Sequence, residues 1–122
     1  MQKTVLVVDD SSSLRAVVSQ LLTEAGYHVS TASGAAEALA CLDGKKIGLI
    51  LCDLHMPEMD GLQLISKVKS IPAYKFTPVI MLSTEKSDEK KQQAYETGIK
   101  AWIIKPFHPK QLINAVSKMV KL

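Results

Sequence analysis

The chain has 122 residues, 47% of them hydrophobic, which suits one domain with one continuous core. No apolar run approaches the roughly 20 residues that cross a bilayer, and the N-terminus lacks the sections of a signal peptide, so a soluble cytoplasmic protein with no membrane partner is expected. The net charge is +3 and Arg15 is the sole arginine; nucleic-acid surfaces usually cluster several, so no nucleic-acid partner is expected.

Residues 4–8 (Thr4–Val8) are a short apolar run that predicts a first strand. Leu14, Val17, Val18, Leu21 and Leu22 then recur at helical spacing, with Gly26 as the expected C-cap. A second strand is expected at 28–32, and Ala35, Ala38, Leu39 and Leu42 mark a second helix. The run 47–52 predicts a third strand, and Leu62, Leu64, Ile65 and Val68 a third helix. A fourth strand at 79–82 precedes a helix at 88–97 whose apolar content is little beyond Ala94 and Tyr95. That helix should bury little and be the most mobile. A fifth strand at 101–104 and a stripe of Leu112, Ile113, Val116, Met119 and Val120 complete the pattern.

The first, third and fourth strands are apolar almost throughout, as central parallel strands covered on both faces must be. Five alternations of strand and helix predict right-handed crossovers and a three-layer, doubly wound α/β fold, with no segment left for a second domain. Cys41 and Cys52 have apolar neighbours and no metal-ligand spacing, so both are expected as buried free thiols.

In such a sheet all strands point their carboxyl ends to one edge, where ligands bind at the reversal of strand order. The residues that follow the strands are Asp9 and Asp10, Asp53, Ser83 and Thr84, and Lys105 before Pro106. With strand order 2-1-3-4-5 the three aspartates meet at the reversal, and Ser83 and Lys105 lie one and two strands away. Each has a plain alternative: a helix cap, a turn, a backbone-bonded hydroxyl, a solvated amine. Their convergence is what points to chemistry. Clustered carboxylates repel unless a cation holds them ionised, and an all-oxygen set suits Mg2+. A metal and a lysine can offset charge on a phosphoryl group while a hydroxyl bonds another of its oxygens, which leaves Asp53 as the nucleophile.

These residues resemble the receiver family of two-component response regulators over the whole chain. The matching motifs are Asp9-Asp10, the segment from Asp53 through His55 and Asp60 to Gly61, then Ser83-Thr84-Glu85 and Lys105-Pro106-Phe107. The resemblance implies a flavodoxin-like (βα)5 fold and a receiver domain spanning 1–122 with no output domain. It implies that Asp53 accepts a phosphoryl group from a kinase phosphohistidine, and that Asp10, Asp53 and the His55 carbonyl hold magnesium, with Asp9 reaching it mainly through water. Lys105 and Ser83 would bind phosphoryl oxygens, Ser83 moving toward them, and the Lys105–Pro106 bond would be cis. Trp102 takes the position of the family's switch aromatic, where tyrosine or phenylalanine is more common. His55 and Glu85 occupy variable positions expected to tune dephosphorylation, while His28 and His108 are read as structural or solvated.

The sequence is most similar to CheY-type chemotaxis regulators, which implies a CheA-type histidine kinase, a flagellar motor switch protein and a phosphatase as partners of a monomer. Residues 86–121 hold eight lysines against three acids. They form either a solvated face or, with Trp102, a docking surface. A phosphorelay intermediate, a phosphate sink or an unphosphorylated binding module would use the same residues. A flavodoxin is disfavoured because Asp9 and Asp10 would repel a bound phosphate, and a haloacid-dehalogenase-type phosphatase because the acids are adjacent and little chain remains for a cap.

Overall fold

The computed structural model describes residues 3–121. Five strands, β1 (Thr4–Val8), β2 (His28–Ala32), β3 (Leu49–Asp53), β4 (Val79–Ser83) and β5 (Ala101–Ile104), form one parallel sheet of order β2-β1-β3-β4-β5. They alternate with α1 (Ser12–Glu24), α2 (Ala35–Cys41), α3 (Gly61–Lys69), α4 (Asp88–Thr97) and α5 (Pro109–Met119), with a 3-10 turn at Pro72–Tyr74 before β4.

Strand residues alternate between two cores, as the period of two requires. Leu6, Val8, Ile50, Cys52 and Met81 face Ala38 of α2, Leu64, Ile65 and Val68 of α3 and Ala94 of α4. Val5, Val7, Leu51, Ile80 and Leu82 face Val18 and Leu22 of α1 and Leu112 and Val116 of α5. β3 and β4 are buried along their full length, hence their unbroken apolar sequence. Full burial of each such side chain contributes about 1.5–3 kcal/mol.

The helix starts have local causes. Ser11 caps α1, Ser87 caps α4, and Asp60 forms a capping box with Gln63 at α3. At α5, His108 accepts the Lys110 N–H through Nδ1 and Pro109 opens the helix. His108 is thus a cap, and His28 is exposed.

Several boundary and burial expectations change. β3 begins at Leu49, not Ile47, and β3 and β4 each run one residue further, to Asp53 and Ser83, which pair with Leu82 and Ile104. Val17 is 53% exposed; it sits one position off the buried line of Val18 and Leu22, on the flank of the stripe. The C-cap of α1 is Ala25, and Gly26, at φ 104°, is the left-handed residue beyond it. Cys52 is buried, but Cys41, at the end of α2, is only half-buried; both thiols are free. Among the residues of α4 only Ala94 is buried, and Tyr95 is 49% exposed, in keeping with its poor apolar content.

Candidate functional site

β1 and β3 are neighbours, and their carboxyl ends bring Asp9, Asp10 and Asp53 together: one carboxylate oxygen from each lies within 4.8 Å of the others. Asp53 is the last paired residue of β3, so its backbone is held by the sheet. Asp9 is buried and bends the chain into α1 by accepting the Ser11 N–H at 2.8 Å, while the Arg15 guanidinium donates to its carbonyl at 2.6 Å. Asp10 is exposed at the mouth of the cluster.

Lys105 reaches in from beyond β5. Its Nζ lies 3.0 Å from Asp9 Oδ2 and 3.1 Å from Asp53 Oδ1, so one ammonium bridges two buried carboxylates. Burial, then the neighbouring Asp9 charge, pushes the Asp53 carboxyl above its ordinary value, against the pull of Lys105. Burial by itself would lower Lys105, but its hydrogen bond to Asp9 and the charges of both acids raise it above the usual lysine value. Burial, followed by the charge of Asp53, drives the Cys52 thiol far up, so Cys52 is an inert core residue.

Ser83 is fully buried at the end of β4, where its Oγ accepts the Glu85 N–H at 2.9 Å. Its carbonyl accepts the Lys105 N–H at 2.9 Å, and the Lys105–Pro106 bond is cis. Above the site, His55 Nε2 and Glu85 Oε2 are 3.5 Å apart, so the β3–α3 and β4–α4 loops meet through these two side chains. Trp102 is half-buried on β5 against the α2–α3–α4 core, with its indole Nε1 buried and without a hydrogen-bond partner among the described residues.

One residue of the Asp53–Gly61 motif was given no role from sequence. A Cβ on Gly61 would lie 2.5 Å from the Asp53 carbonyl oxygen and 3.0 Å from Leu54 Cα. Only glycine lets the first turn of α3 close on the strand end that carries Asp53. Its place directly after the capping Asp60 was the available signal.

The three carboxylates are hard oxygen donors converging at one point, which fits a divalent cation of the magnesium class. Close acids, a lysine and a hydroxyl at the carboxyl edge of a 2-1-3-4-5 sheet are the arrangement of a receiver domain. The Response regulator receiver domain family matches residues 5–117, and this chain belongs to it. In particular it is similar to the Vibrio cholerae chemotaxis protein CheY4, at 41% identity and a TM-score of 0.94 over 98% of this chain and 100% of that one. A CheY-like receiver domain from Methanospirillum hungatei is 29% identical with a TM-score of 0.90, covering 97% of this chain and 93% of that one. An uncharacterised 14.6 kDa protein of Leptolyngbya boryana is 35% identical over 96% of this chain and 89% of its own length. The transcriptional regulatory protein SrrA of Staphylococcus aureus is 30% identical over 99% of this chain, which spans only about half of it, 49%. Membership implies interaction with a histidine kinase. No helix among the described residues is long and apolar enough to cross a membrane.

Proposed function

We propose that this chain is a cytoplasmic, monomeric single-domain response regulator that takes a phosphoryl group from a kinase phosphohistidine onto Asp53. The observation that carries the reading is the bridge of Lys105 to both Asp9 and Asp53 inside a cluster of three aspartates. A carboxylate oxygen of Asp53 attacks phosphorus, the N–P bond to the kinase imidazole breaks, and the imidazole leaves with the bonding pair and takes a proton. Lys105 swings its ammonium from carboxylate to phosphoryl oxygen, and Ser83 Oγ gives up the Glu85 N–H to donate to another. Asp9, Asp10, Asp53 and the His55 carbonyl would hold Mg2+, which when bound supplies positive charge beside the phosphoryl oxygens.

His55 and Glu85, joined over the mouth of the site, govern the access of water and so tune dephosphorylation. Exchanging each and following phosphate loss tests this, and unchanged rates reject it. Trp102 reports the movement of Ser83 as the switch aromatic. The output is phosphorylation-dependent binding through α4, β5 and α5, where Lys90, Lys91 and Trp102 face an acidic or amphipathic partner segment. Alanine at these three leaving affinity unchanged would reject that surface.

The similarity to CheY4 supports a chemotaxis pathway, with a CheA-type kinase, a flagellar motor switch protein and a phosphatase as partners. The direct experiment treats the protein with a small acyl phosphate, with and without magnesium, and reads intact mass and Trp102 fluorescence. A magnesium-dependent gain of one phosphoryl group, absent in Asp53→Asn, is the expected result. A folded protein that gains none overturns the reading.

A further inference from the structure

The end of the molecule opposite the acid cluster carries a built groove that phosphoryl transfer does not use. At the amino edge of the sheet, the turn from α2 to β3 lies against the turn through Pro72–Tyr74 to β4. Buried Tyr74 ties them together: its hydroxyl accepts the Gly44 N–H at 2.9 Å and donates to the Lys45 carbonyl at 2.7 Å. The cavity between them, about 370 Å3, is lined by Ile47, Pro72, Ala73, Phe76 and Pro78, with Lys45 and Lys46 at its rim. Phe76 is 87% exposed, and the Lys75 ammonium stands 5.6 Å from its ring centroid.

A single exposed aromatic is ordinary on a soluble protein. Here, however, the phenyl ring is one wall of a largely apolar concavity that Lys45 and Lys46 also line, with Lys75 against the ring, while Asp43, the acid 3.8 Å from Lys45, is itself exposed to solvent. We propose that this groove docks an acidic segment of a partner protein that presents an apolar side chain between carboxylates. The side chain fills the concavity against Phe76 and Ile47, and the carboxylates meet Lys45, Lys46 and Lys75. A bilayer offers a flat anionic surface with no side chain to fill a concavity, and one phenyl ring is a weak anchor. Nucleic acid is disfavoured because the lone arginine, Arg15, lies at the other edge beside Asp9. The five-residue strands separate the groove from the acid cluster by about 16 Å, at roughly 3.3 Å per residue. Docking therefore leaves Asp53 open and persists whether or not it is phosphorylated, tethering the domain without reading its state.

The test titrates the 15N-labelled full chain with the peptide acetyl-Glu-Glu-Phe-Glu-Glu-Leu-Glu-amide and with a copy in which lysine replaces every glutamate. Saturable shifts at the amides of Gly44, Ile47 and Phe76 with the acidic peptide are expected, lost with its lysine copy. Phe76→Ser and a Lys45→Glu, Lys46→Glu double variant, all at exposed positions, should each weaken binding about tenfold or more. Asp53→Asn should bind as the parent does. Shifts confined to the carboxyl edge or to α4, β5 and α5, equal binding of the lysine peptide, or a preference for phosphatidylserine vesicles would each overturn the proposal. The unphosphorylated protein suffices throughout, so a failure of the acyl phosphate experiment and a failure here are read separately.

Discussion

Replacing Lys105 with methionine keeps an unbranched side chain one atom shorter and removes its charge. In the parent, one ammonium serves both Asp9 and Asp53, at 3.0 and 3.1 Å, and the side chains of these acids are 3% and 9% exposed. Removing one partner from a buried pair costs about 3–5 kcal/mol. The cluster opens at its mouth, where exposed Asp10 admits solvent, and the freed acids can take up a proton, so a loss of about 2 kcal/mol is expected. For a domain of this size that lowers Tm by roughly 8 °C. The freed carboxylates are then open to a cation, and saturation at a hundred times Kd contributes about 2.7 kcal/mol. Melting curves at neutral pH with a magnesium titration should therefore show a lower Tm for Lys105→Met without metal and a larger rise with it. Above the ordinary lysine value of 10.5 the gap narrows, because the stability from Lys105 is complete below that value and is lost as pH rises through its raised folded-state value. Equal melting temperatures, or equal magnesium increments, would refute the view that Lys105 holds this site together.

Asp53→Asn should stabilise the metal-free protein at neutral pH, since the parent loses stability as pH climbs from 3.8 through the raised folded-state value of Asp53. Urea midpoints should converge below 3.8, and a gap that ignores pH contradicts this. Gly61→Ala pushes a methyl group into the Asp53 carbonyl and should cost about 1–3 kcal/mol in urea unfolding; a neutral effect would mean that α3 can shift freely. Trp102→Phe discards a buried, unpartnered indole N–H. The relief, about 1–3 kcal/mol, offsets the lost burial, so stability should change by less than about 1 kcal/mol, and a drop above about 2 would reveal a partner for that group.

Much of the fold was legible because the two periods are clean here. Val5 to Val8 can only be a strand covered on both faces, and Leu64, Ile65 and Val68 only a stripe of α3. The site residues were legible because parallel strands send their ends to one edge. Which acid points inward was not, since Asp9 and Asp10 sit in a bend whose direction is set by the Ser11 and Arg15 contacts and not by a period. Val17 was misplaced because helix α1 buries a narrower stripe than its apolar residues suggest. The clamp by Tyr74 joins turns about thirty residues apart, |i−j| = 30 and 29, which no local pattern encodes.

The bond from the Lys105 N–H to the Ser83 carbonyl couples two strands at the residues that flank the acid cluster. Ser83 is also laddered to Ile104, so its main chain cannot travel without dragging β5 along. Whatever conformational adjustment a charge on Asp53 provokes has to pivot beyond this point. On the proposed reading the serine would respond by rotating about its own Cα–Cβ bond, and the first torsions beyond the paired strand belong to Thr84. On that reading a hinge of the β4–α4 loop lies one residue downstream of the hydroxyl, and the backbone of Lys105 stays tied to β4 while its ammonium changes partners.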